Sequence, residues 1–219
     1  YNIKSKKWTE LPDSLVETIE SSVLYWKGFI YKLGGREAGN TFREIDSVYC
    51  LDIKKNKWSK CADMLIKQSY PIAACSNDQL YVVYNDYNGE QDPMKFQSHQ
   101  LGSDEWSYRA DLPPTAPSTD GASLVSMDDK LYLVGGYDRI CAQYSIVEDA
   151  WTVLTQCLRG HGWGAAVRYG DRILLCGGSD GNAHNQIESY NPAEDEWQEW
   201  DLNLPKCLWF HSAGRLNNA

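Results

Sequence analysis

The chain has no apolar run approaching the roughly 20 residues that a membrane-spanning helix needs, and no basic-then-apolar segment of the kind that forms a secretory leader. Positive charge is scarce as well: 21 Lys and Arg stand against 30 Asp and Glu, for a net charge of -9 and a pI near 4.9. A backbone-phosphate binder needs a basic face, so neither nucleic acid nor a membrane surface is an expected partner. Only four histidines occur, and HxxxH, HExxH and clustered Cys/His spacings are missing, so no metal and no cofactor is expected. No GxSxG, P-loop or strand-to-helix GxGxxG is present, which leaves nucleophilic and nucleotide chemistry without support. Carboxylate neighbours such as Glu194 and Asp195 fall in a turn and read as turn chemistry. The seven cysteines form an odd set without CxxC spacing. That pattern suits reduced, buried thiols in a cytosolic or nuclear protein better than a disulfide framework. The chain starts at Tyr1 inside a repeated pattern, so it reads as an excerpt of a longer protein.

What the sequence does have is a beat. Trp8, Trp58, Trp106, Trp151 and Trp197 recur at gaps of 50, 48, 45 and 46 residues, and seven positions before them stand Tyr1, Leu51, His99, Tyr144 and Tyr190. Three of the four full intervals also carry a glycine pair after an apolar run: Gly34-Gly35, Gly135-Gly136 and Gly177-Gly178. A fixed period of this size marks repeated supersecondary units.

Aligned on the glycine pairs, each interval holds four short strands. The first are Ser22-Val23-Leu24, Ile72-Ala73-Ala74, Ser123-Leu124-Val125 and Ala165-Ala166-Val167. The second are Phe29-Ile30-Tyr31, Leu80 to Val83, Leu131 to Val134 and Ile173 to Cys176, nearly continuous apolar runs expected of a sheet covered on both faces. The third strand ends near the Tyr, Leu or His position and the fourth contains the Trp. Such sheets must stack face to face, and radial closure protects their edges. The expected fold is all-β: a propeller of four-stranded antiparallel blades, with the Trp as inter-sheet packing surface and the glycine pair where sheets crowd.

The apolar run with Gly-Gly and the Tyr seven before a Trp resemble Kelch repeats, most cleanly at Tyr190-Asn191-Pro192-Ala193-Glu194-Asp195-Glu196-Trp197. On that resemblance residues 1–12 end one blade, 13–62, 63–110, 111–155 and 156–200 are full blades, and 201–219 open another; six blades are expected in the parent protein. One blade departs from the pattern, with Tyr84-Asn85 in place of the glycine pair and His99 in place of the Tyr.

In an up-and-down blade the second-to-third loop and the inter-blade loop emerge at the same end, and loops on a rigid scaffold are where recognition concentrates. The second-to-third loops run from Arg36 to Ile45, from Asp86 to Lys95, over Tyr137-Asp138-Arg139, and from Ser179 to Asn185. The candidate partner-binding residues on these two loop sets are Arg36, Arg43, Lys67, Tyr70, Arg139, Arg159, His161, Trp163, His184, Trp209 and Phe210. Of these, Tyr70, Trp163 and Phe210 align with one another and so also read as scaffold. The resemblance implies a protein or peptide partner. It further implies a substrate adaptor of a cullin-RING ubiquitin ligase, acting in the cytoplasm or nucleus through BTB and BACK domains absent from these residues, with a BTB-mediated homodimer. Actin binding is a second family possibility. The rival class is a propeller enzyme of oxidase or sugar-mutarotase type, for which His161, His184 and His211 would have to line a metal site or axial pocket.

Overall fold

The computed structural model describes residues 5–39, 42–84 and 94–213. Tyr1, Asn85 and the part of the second-to-third loop from Asp86 to residue 93 lie outside the described residues. The described chain is all-β, and no helix in it is long and apolar enough to cross a membrane. It divides into two compact units, residues 1–71 with 102–106, and residues 72–101 with 107–219.

The first unit contains β1 (Thr18–Ile19), β2 (Ser22–Trp26), β3 (Phe29–Leu33), β4 (Arg36–Glu37), β5 (Val48–Asp52) and β6 (Lys57–Lys60). Strands β2, β3, β5 and β6 form an antiparallel meander in that order, and β1 pairs with β4. A second sheet follows the same order in β7 (Ile72–Ser76), β8 (Gln79–Val83), β9 (Phe96–Gln100) and β10 (Trp106–Tyr108). Two further sheets belong wholly to the second unit. One is β11 (Ala122–Met127), β12 (Lys130–Gly135), β13 (Ile140–Ser145) and β14 (Ala150–Val153); the other is β15 (Ala165–Tyr169), β16 (Arg172–Ser179), β17 (Ala183–Asn191) and β18 (Glu196–Glu199). The four-strand repeat expected from the sequence is therefore present four times.

Inside the second unit the inner strands β7, β11 and β15 are neighbours, and the core is two layers of side chains trapped between successive sheets. Alternation along β12 explains its unbroken apolar run: Leu131 and Leu133 point into the layer shared with Tyr81 and Phe96, while Tyr132 and Val134 point into the layer shared with Ile173, Leu175 and Tyr190. Trp151 and Trp197 sit one in each layer, against Phe96 at 5.1 Å and Tyr190 at 4.9 Å between ring centroids. A buried Trp contributes on the order of 4 kcal/mol of apolar burial, so these rings are the main cement between sheets.

The tryptophans do more than fill space. Each indole donates its Nε1 hydrogen to the carbonyl of the residue four places beyond the preceding tryptophan. The pairs are Trp58 to Pro12 (2.9 Å), Trp106 to Ala62 (3.0 Å), Trp151 to Ala110 (3.0 Å) and Trp197 to Thr155 (2.9 Å). In the last two blades the same residue is held from its other side: Asp149 accepts from the Ala110 N–H at 3.0 Å and Asp195 from the Thr155 N–H at 3.1 Å. Both aspartates adopt positive φ and accept a tyrosine hydroxyl of their own blade, Tyr144 at 2.6 Å and Tyr190 at 2.7 Å. Burial, and then the bond to the carboxylate, pushes both phenols far above their ordinary range. For the aspartates burial acts upward, but the donated hydrogen bonds outweigh it and hold both carboxyls below their ordinary value. At the first joint Pro12 has no N–H to give, and that blade carries Leu51 and Asn56 where the last two blades carry Tyr and Asp.

The glycine pairs mark where the chain entering one sheet crosses the previous sheet. A Cβ on Gly34 would lie 2.9 Å from the Gln68 carbonyl, and one on Gly177 would lie 2.7 Å from that of Leu208, with φ of +54 and +57 respectively. Close approach and left-handed geometry both exclude a side chain there. Where Tyr84 replaces the glycine, the crossing residue is Thr119, whose hydroxyl lies 3.3 Å from the Tyr84 carbonyl and 2.9 Å from the Met94 sulfur.

Candidate functional site

Each crossing segment turns a corner before its inner strand, on a residue of positive φ: Glu20 and Tyr70 in the first unit, and Gly121, Trp163 and Phe210 in the second. Within each unit these corner residues are joined by backbone bonds, from Tyr70 N to Glu20 O (2.8 Å), from Trp163 N to Gly121 O (2.9 Å) and from Phe210 N to Trp163 O (2.8 Å). Tyr70, Trp163 and Phe210 are thus corner residues of the scaffold. The corners also meet the second-to-third loops, through the β1–β4 pairing in one unit and the Gly136–His161 and Gly162–Ser179 bridges in the other. That brings the two loop sets to one end of the blade.

Two places before three of these five corners, the side chain turns inward. Gln68, Thr119 and His161 occupy that position, and all three are buried. His161 sits in a buried polar cluster of the second unit. Its Nδ1 lies against the Gly177 carbonyl, which can only accept, so that nitrogen carries the hydrogen. Its Nε2 lies 3.2 Å from the Glu188 carboxylate, and its ring meets that of His184 edge-on at 4.8 Å. His184 in turn places Nε2 2.9 Å from the Gly160 carbonyl.

Glu188, on β17, is the centre of this cluster and has 0% exposure. It accepts from the Leu158 N–H at 2.9 Å and from Arg159 Nε at 3.2 Å, while Arg159 also reaches Glu199. A buried carboxylate is tolerated only when its partners are in place, so Arg159 is held as its counterion. Arg36 is engaged in the same fashion, 3.3 Å from Glu20 and 3.6 Å from Glu44. Glu44 itself accepts from the Ser69 hydroxyl at 2.7 Å.

The sequence-derived candidates therefore separate into two groups. Arg36, Arg159, His161 and His184 fix the loops; Arg43 and Lys67 in the first unit are exposed, as are Arg139, Trp209 and Phe210 in the second. Trp163 stacks on Phe210 at 4.9 Å, and Trp209 packs against Phe210 at 5.1 Å, giving a run of three aromatics of which Trp209 and Phe210 are 52% and 56% exposed. Glu188 escaped the sequence reading. It stands in a strand of mostly polar residues, where nothing sets it apart from its neighbours. Among the described residues no group of three or more His, Cys, Asp and Glu could hold a metal ion, and His211, whose burial lowers its basicity, faces Gly177 from the last segment.

A family model described as "Kelch motif" matches residues 21–65 and 164–199. The chain is 29% identical over 225 residues to Kelch-like protein 23 of Homo sapiens, covering 100% of this chain and 39% of that protein. It is 25% identical over 158 residues to the Kelch repeat and BTB domain-containing protein 8 of Rattus norvegicus, covering 69% of this chain and 26% of that protein. The chain thus spans well under half the length of these relatives. A solved structure, that of YjhT, superposes with a TM-score of 0.78 at 16% identity, covering 94% of this chain and 77% of that one. The motif matches fall on two of the blades whose glycine pairs and tryptophans make the crossings and latches just described; the fold is all-β, of four-stranded antiparallel propeller blades, and the chain is similar to Kelch-like proteins along its whole length.

Proposed function

We propose that the chain is a protein-recognition module that holds a partner segment on the loop end of its blades. The reading is carried by the exposed aromatic run Trp209–Phe210 on a corner that Trp163 and the Glu188 cluster hold still. Aromatic and arginine side chains on rigid supports are the usual anchors of protein interfaces, and Arg139 and Arg43 supply exposed guanidinium groups on the second-to-third loops. The similarity to Kelch-like proteins along the full chain points the same way. His161 and His184 each turn one ring nitrogen to a loop carbonyl, of Gly177 and Gly160, which supports a role in holding the loops.

The test is capture of partners by the purified chain, with cross-linking to locate them. The double variant Arg139→Ala/Trp209→Ala is expected to lose partners that Glu194→Lys, at the opposite turn end, retains. Retention by the double variant with normal unfolding behaviour would move the site elsewhere.

The similarity to a BTB domain-containing relative supports a finer proposal, that the full-length protein is a dimeric substrate adaptor of a cullin-RING ubiquitin ligase in the cytoplasm or nucleus. Immunoprecipitated full-length protein is then expected to bring down a cullin. Its failure to do so removes the adaptor role and leaves the recognition role standing.

A further inference from the structure

Outside the recognition loops, two cysteines of the first unit stand side by side. In the register of β5 and β6, Cys50 lies opposite Ser59, and the ladder continues one step further through the Cys61 N–H to the Val48 carbonyl at 2.8 Å. Side chains alternate between faces, so Cys50, Ser59 and Cys61 share one face and the two cysteines are diagonal neighbours across the strand pair. The Cys50 sulfur lies 3.3 Å from the Ser59 hydroxyl on that shared face. Both cysteines are free thiols and half-buried, so a small solute reaches them.

We propose that Cys50 and Cys61 form a two-sulfur binding site for a soft, two-coordinate cation of the copper(I) class. Three magnitudes select this occupant. A direct disulfide wants Cα atoms within about 7 Å and Cβ atoms near 3.8 Å, whereas diagonal partners across a strand pair sit about 7–8 Å apart. A bridging metal relaxes that demand, because two metal–thiolate bonds of about 2.3 Å span roughly 4.6 Å between sulfurs. Structural zinc needs four ligands, and among the described residues no third His, Cys, Asp or Glu joins the pair as a possible ligand. Soft thiolates select copper(I) among the remaining first-row ions.

Binding replaces two S–H bonds by two S–Cu bonds and releases two protons to solvent, with no change in oxidation state.

The experiment uses the full chain and copper(I) supplied as its bis(bicinchoninate) complex. One copper(I) per chain is expected to leave the coloured complex. Loaded protein is then expected to resist iodoacetamide at Cys50 and Cys61 while the exposed Cys207 is still alkylated. Cys50→Ser and Cys61→Ser are expected to abolish the transfer, and Cys207→Ser to leave it intact. No transfer, or transfer that leaves Cys50 and Cys61 open to alkylation, overturns the proposal. Should either serine variant unfold, the alkylation pattern of the unmutated chain decides alone.

Discussion

Asp195 is short, charged and set in a turn, and the sequence gives it no more prominence than Glu194 beside it. The structure gives it three bonds: one from Tyr190 in its own blade, and two from Thr155 of the previous blade, through the N–H and the hydroxyl. Because those bonds hold the carboxyl below its ordinary value, folding favours the ionised form. The resulting stability is complete above the unfolded carboxylate range near 4 and is lost as pH falls through the folded value. Asp195→Asn is therefore expected to be less stable than the parent at pH 7, with the gap narrowing and closing below about pH 4. Urea midpoints of both proteins across that range check it, and a gap independent of pH would show that charge plays no part. Residues of this kind hide because turn aspartates are common for local reasons, whereas the partner that gives this one its role lies 40 positions earlier.

Strands and glycine pairs were readable because their requirements are severe. A segment buried on both faces has to be apolar throughout, as β12 is, and a crossing backbone leaves no room for a Cβ. Gly177→Ala meets both obstacles, a φ of +57 and the Leu208 carbonyl at 2.7 Å, while Gly170→Ala meets only a φ of +63 in open space. The Gly170 change is expected to cost about 1 kcal/mol, the left-handed penalty alone, and the Gly177 change clearly more. Equal shifts in thermal midpoint would mean that the crossing gives way. Corners were readable only in part: the aligned aromatics Tyr70, Trp163 and Phe210 mark three of them, but Glu20 and Gly121 share only the backbone conformation. The candidate site was legible only in part for a related reason. Sequence places Arg36 and Arg159 on the right loops, but their partners, Glu44 in the same loop as Arg36 and Glu188 in β17, show no common spacing to them.

At the scale of the whole chain, the acidic balance governs behaviour in solution more than it governs the fold. Its charge vanishes near pH 4.9, where mutual repulsion between molecules is lost. Light scattering is expected to pass through a maximum near that pH and to fall on either side; a flat profile would mean that exposed apolar groups such as Trp209 and Phe210 do not associate once charge is removed. The indole latches carry a different consequence. Each donor is a tryptophan, but each acceptor is a main-chain carbonyl, and Pro12, Ala62, Ala110 and Thr155 serve equally well. A joint of that kind asks nothing of its neighbour's side chain, only that a peptide group arrive four residues after the last tryptophan. A blade can then be copied, exchanged or allowed to diverge without a matching change next door, which is a chemical reason for an array of this sort to grow by duplication while its loops go their separate ways.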